Sequence, residues 1–139
     1  MNQPRSDCKA VVYKQKIFVL GGHHGDQIFR SVECLDMTQP RPVWSQAADM
    51  ITPRADFGAC VVDDRILVMG GSTTGNGVQH TTTNKAEAYS GDKGVWTPVP
   101  DMPNHSDRLA CVNISGLKNA RTYSSQKIIG MQREKRWNY

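Results

Sequence analysis

Three potential metal ligands stand within four residues of one another, His23, His24 and Asp26. Imidazole and carboxylate donors so close together would suit a divalent cation. A metal centre needs more ligands converging from elsewhere, and His80 and His105 are far apart with no H-E-x-x-H motif joining them. The expectation is an exposed polar loop and no metal. The run Gly70-Gly71-Ser72-Thr73-Thr74-Gly75-Asn76-Gly77 has the composition of a phosphate cradle. It lacks the closing G-K-[S/T] and opens into no helical pattern, so it does not read as a P-loop. No G-x-S-x-G elbow, nucleophile triad or carboxylate pair is present. The sequence therefore predicts no enzyme, no catalytic residue and no cofactor.

Cys8, Cys34, Cys60 and Cys111 show no C-x-x-C spacing and no zinc-type clustering with histidine. The last three lie in apolar segments, where a free thiol packs as a small hydrophobe, and they are read as structural thiols. The 139 residues carry a net charge of +4, unevenly placed. Residues 117–139 hold six basic residues against Glu134 alone, a net +5, leaving eleven basic against twelve acidic residues, a net −1, in 1–116. The body is almost neutral and the basic tail, with Trp137 and Tyr139, reads as a solvated terminus; nucleic-acid and small-molecule partners are not expected. No stretch is long and apolar enough to span a membrane, and the N-terminus has no secretory h-region, so a cytoplasmic chain is expected.

The elements that would position these residues repeat. Ile17-Phe18-Val19-Leu20-Gly21-Gly22 returns as Ile66-Leu67-Val68-Met69-Gly70-Gly71, 49 residues later, since 70 − 21 = 49. Each copy is followed by a tryptophan, Trp44 or Trp96, and then by Asp49-Met50 or Asp101-Met102. A repeat of this period marks a repetitive architecture. Each copy reads as four short strands, A to D: 9–13, 16–20, 31–36 and 43–47, then 58–62, 65–69, 85–90 and 95–99. Strand B is apolar at four successive positions, as expected of an inner strand covered on both faces. Lys14-Gln15 and Asp63-Asp64 are tight A–B turns, and 72–84 reads as a long flexible B–C loop. The glycine doublets suit a chain turning sharply beside a neighbouring backbone.

Arg5 and Arg54 before strand A, the doublets Gly21-Gly22 and Gly70-Gly71, Glu33 and Glu87-Ala88-Tyr89 in strand C, and Trp44 and Trp96 with their Asp-Met pairs together resemble the kelch repeat. The resemblance covers residues 1–102. It implies an all-β, partial kelch β-propeller: two four-stranded antiparallel blades plus the first strand of a third, with each Trp filling the wedge between blades. The organisation expected is blade one in 1–50, blade two in 51–102, a third repeat starting in 103–116, and a poorly ordered basic tail in 117–139. In the third repeat, Ala110-Cys111 aligns with Ala59-Cys60 and His105 falls where arginine is expected.

The resemblance further implies that partners dock on the B–C and D–A loops. The candidate binding residues are His23, His24, Asp26, Arg30, Arg54, Asn76, His80, His105 and Arg108. Gly21, Gly22, Trp44, Gly70, Gly71, Tyr89 and Trp96 are structural residues of the repeat. Arg54 recurs with the repeat at Arg5, so a structural role stands beside recognition for it. The repeats resemble part of the propeller of the kelch-like (BTB-kelch) family, whose propellers recruit substrates to cullin-3 ubiquitin ligases or bind actin. A protein partner of one of those classes is the expectation. A fragment of a kelch-fold enzyme, such as a sugar oxidase or sialic-acid mutarotase, is the alternative. An uncapped repeat array exposes apolar faces, so a fragment or short isoform with marginal stability is expected.

Overall fold

The computed structural model describes residues 1–75 and 78–114; Asn76 and the 117–139 tail lie outside them. The described chain is all β. The first sheet takes β1 (Lys9–Tyr13) and β2 (Lys16–Leu20); a two-stranded ribbon, β3 (His23–His24) and β4 (Gln27–Ile28), follows, and β5 (Val32–Asp36) and β6 (Trp44–Ala47) complete the sheet. The second repeat forms β7 (Gly58–Val62), β8 (Arg65–Met69), the ribbon β9 (Ser72–Gly75) and β10 (Val78–Thr82), then β11 (Ala86–Ser90) and β12 (Val95–Val99). The sheet orders are β1-β2-β5-β6 and β7-β8-β11-β12, antiparallel throughout. These are two propeller blades. Where a flexible 72–84 loop was expected, β9 and β10 form a ribbon, because its Thr-rich arms suit extended pairing.

The A–B turns are tight for a definite reason. Lys14 and Gln15 have φ of 48° and 59°, and Asp63 and Asp64 have 48° and 54°. Two successive positive φ angles define the hairpin turn whose twist matches the flanking strands.

Alternation along the ladders decides which side chains face the neighbouring blade. Blade one presents Val11, Tyr13, Phe18, Leu20, Val32 and Cys34 to blade two, which answers with Ala59, Val61, Ile66, Val68, Tyr89 and Trp96. Phe18 and Tyr89 stand 5.7 Å apart, and Tyr89 and Trp96 5.3 Å, both tilted. Such pairs add about 0.5–1.5 kcal/mol each beyond the area they bury. Trp96 is buried and donates its indole N–H to the Ala48 carbonyl of blade one at 2.9 Å. It fills the inter-blade wedge. Trp44 is only half-buried, because the face carrying it, with Ala10, Val12, Ile17 and Leu35, points away from blade two.

The third repeat corrects the register expected of it. The segment 109–114 packs against blade two but carries no strand ladder among the described residues. A strand A pairs with its own strand B, and any strand B here would fall after 114, outside those residues. The register also differs from the Ala-Cys alignment. Ser106, not His105, takes the place of Arg54: its carbonyl accepts from Gly71 N–H as the Arg54 carbonyl accepts from Gly22 N–H. Met102 and Leu109 close on Gly70 as Met50 and Phe57 close on Gly21. Backbone pairing and these apolar plugs set the register, which puts Cys111 at the position of Ala59.

Candidate partner-binding surface

The first two repeats each open with an arginine that reaches into its own blade. Arg5 donates to the carbonyls of Gly21 (2.8 Å) and Ser31 (3.0 Å) and to Glu33 Oε1 (3.0 Å). Arg54 does the same to Gly70 (2.6 Å), Lys85 (3.0 Å) and Glu87 Oε1 (2.8 Å). Both side chains are fully buried. Burial lowers the Arg54 pKa while the Glu87 charge opposes that shift. Burial would raise the Glu33 pKa, but the Asn2 N–H and the Arg5 guanidinium outweigh it and hold it below the usual range. Glu87 also accepts from the Ile51 and Thr52 N–H groups. The expected partner-binding role of Arg54 is therefore wrong: the guanidinium ends strands of blade two, while the Arg54 carbonyl accepts from blade one.

The glycine doublets lie beneath this arginine. Gly21, Gly22, Gly70 and Gly71 have φ of 53°, 86°, 63° and 96°. A Cβ on Gly70 would stand 2.6 Å from the Ser106 carbonyl oxygen, so both conformation and space require glycine.

Around this frame the ribbons and the D–A linkers share one end of the sheets, joined by the bridges Ser6–His23 and Ala55–Ser72. His23 is half-buried there; its Nε2 lies 2.9 Å from Asp7 Oδ2 and its Nδ1 3.0 Å from the Gly25 carbonyl. The Gly25 carbonyl, then Asp7, raise its pKa. His24 and Asp26 are exposed at the ribbon tip. Arg30 is exposed and pairs with Asp49 at 3.4 Å. His105 is exposed, its ring 2.9 Å from the Thr82 carbonyl, and exposed Arg108 has φ of 52°. Towards the inner edge the linkers stack backbone to backbone: Asp56 N–H donates to Asp7 O and Leu109 N–H to Asp56 O. His23, Asp7 and Asp56 thus gather at one place, and Arg108 follows on the next linker. His80 falls within β10, and Asn76 lies outside the described residues.

Sequence reasoning named Glu33 and Glu87 only as marks of the repeat and missed Asp7 as part of this frame. The signal was available, since Asp7 and Asp56 each stand two residues after the repeat arginine. No group of three or more His, Cys, Asp or Glu able to hold a metal occurs among the described residues.

The family model for the Kelch motif matches residues 4–51 and 53–103. The chain belongs to the kelch-repeat family. Among sequence relatives, it is 34% identical over 113 residues to the F-box/kelch-repeat protein SKIP30 of Arabidopsis thaliana, covering 73% of this chain and 30% of the relative. It is 26% identical over 145 residues to Kelch repeat and BTB domain-containing protein 2 of Cowpox virus (strain Brighton Red), covering 88% of this chain and 26% of the relative. This kelch chain thus spans less than a third of either relative. The solved structure of YjhT superposes with a TM-score of 0.71 at 14% identity, over 83% of this chain and 32% of that one. A copper-bound fungal alcohol oxidase gives 0.61 at 21% identity, over 78% of this chain and 24% of that one. At such identities these two establish the fold alone. With its kelch repeats and its F-box/kelch and BTB-kelch relatives, the chain is a protein-interaction module.

Proposed function

We propose that this kelch module recognises the substrate of a ubiquitin ligase, gripping an acidic or phosphorylated segment at the rim built by β3–β4, β9–β10 and the D–A linkers. The observation that carries this is the division of labour among the basic residues. Arg5 and Arg54 are consumed inside the blades, whereas His24, Arg30, His105 and Arg108 stand exposed on the first ribbon and the linkers, held by a rigid sheet frame. Arginine forks suit carboxylates and phosphates, which they bind through paired, charge-assisted hydrogen bonds. Relatives whose names join kelch repeats to an F-box or a BTB domain favour ligase substrate recruitment over actin binding. A cytoplasmic setting suits the work.

The test is capture of ubiquitinated proteins or their acidic degron peptides by the full chain, compared with a His24→Ala/Arg108→Ala variant. Loss of capture by at least about tenfold, with an unchanged melting curve, is expected, since each charge-assisted bond contributes about 1.5–3 kcal/mol. Undiminished capture by the double variant, or selective retention of actin, would defeat the reading.

A further inference from the structure

Cys60 and Cys111, 51 residues apart in sequence, place their sulfurs 2.9 Å from each other. That is only about 0.9 Å longer than a disulfide bond. The contact follows from the register of the third repeat. Cys60 lies on the face of β7 that points away from blade one, with Leu67 and Ala88. Cys111 occupies the position of Ala59, whose side chain points back towards the preceding blade. A shift of one residue moves an extended side chain to the opposite face, so the two thiols meet instead of pointing the same way. Val62, Met69 and Val99 close around them.

We propose that Cys60 and Cys111 are an oxidation site, forming a reversible disulfide that latches the 109–114 segment onto blade two. Cys111 is half-exposed and Cys60 is buried, which gives the pair an attacking and a resolving member. The hydrogen bond between the two sulfurs brings the Cys111 pKa down to about 7, against burial that would raise it. The same hydrogen bond, then burial, pushes Cys60 up, so the buried sulfur keeps its proton. Thiolate character and access together mark the reactive sulfur.

The oxidant is a hydroperoxide. The Cys111 thiolate attacks its terminal oxygen; the O–O bond breaks, the sulfur is oxidised to sulfenic acid, and water leaves from hydrogen peroxide once the departing oxygen takes a proton. Cys60 then loses its proton and attacks the Cys111 sulfur, forming the S–S bond and releasing the hydroxyl as a second water. Two thiols and one peroxide give one disulfide and two waters, and a dithiol reductant reverses the latch. Transient disulfides of this type occur in reducing compartments. When reduced, the segment can leave and expose Leu67 and Met69; when oxidised, it cannot.

The experiment takes the full 139-residue chain, reduced and then exposed to hydrogen peroxide, alkylated and digested without reduction. A peptide joining Cys60 to Cys111 is expected, with Cys8 and Cys34 alkylated. The melting temperature should rise by about 5 °C or more, since cross-linking a long loop restricts the unfolded chain, and dithiothreitol should reverse the rise. Cys111→Ser should abolish the link, and Cys60→Ser should leave a Cys111 sulfenic acid that dimedone traps. Wild-type mapping needs no variant to fold. A wild-type chain whose Cys111 stops at sulfenic acid, links to another cysteine, or stays reduced would overturn the proposal.

Discussion

Arg54 and Glu87 illustrate how one side chain can look like a ligand-binding group and act as a frame. Its guanidinium carries three bonds inside blade two, and Glu87 holds the linker at Ile51 and Thr52. Arg54→Ala leaves a buried carboxylate without its cation, which should cost about 3–5 kcal/mol in urea unfolding. Arg30→Ala removes an exposed pair with Asp49 and should cost under about 1 kcal/mol. Equal losses for the two would contradict this assignment. His23 makes a pH prediction. Its folded pKa is raised above the ordinary 6.5 by the Gly25 carbonyl and Asp7. A raised pKa means the folded state binds the proton more tightly, so the contribution is complete below 6.5 and fades as pH climbs through the folded value. The melting temperature should therefore fall across that window, and His23→Gln should flatten the fall. A wild-type profile matching the variant's would refute it.

The blade strands lay where sequence put them, since four apolar residues before a glycine doublet leave little choice for an inner strand. The two ribbons were not legible in the same way. β3 and β4 have two residues each, too few for a periodic pattern, and they are held by the bridge to Ser6 on the linker. β9 and β10 did leave a trace, the β-branched Thr73, Thr74, Thr81 and Thr82, overshadowed by glycine and polarity. Equivalent tryptophans also turned out unequal. Trp96 is wedged between blades with its N–H satisfied, while Trp44 sits on an open face. Trp96→Ala should cost about 3–5 kcal/mol, and Trp44→Ala clearly less. Denaturant midpoints decide; a Trp44 variant as unstable as the Trp96 variant would mean that its face is covered.

The two blades share one core, so neither owns the side chains that stabilise it: Phe18 and Leu20 need Ile66 and Tyr89. Beyond that core, among the described residues blade one leaves open the face that in blade two is covered, with Val12 at 69% exposure. An apolar sheet face of this kind invites association. Ultracentrifugation of the full chain should show concentration-dependent assembly, and Val12→Lys should shift it towards monomer without lowering the melting temperature. A wild type that stays monomeric at all concentrations would sink that prediction. Number of blades, strand boundaries and the sites of the tight turns were all legible in residue order, because each depends on a neighbour a few positions away. The burial of Arg54, the inequality of Trp44 and Trp96, and the meeting of Cys60 with Cys111 were decided only when blades stacked. Each hangs on which face of an extended strand meets which neighbour, and a single-residue slip between repeats reverses that face while leaving the local pattern unchanged.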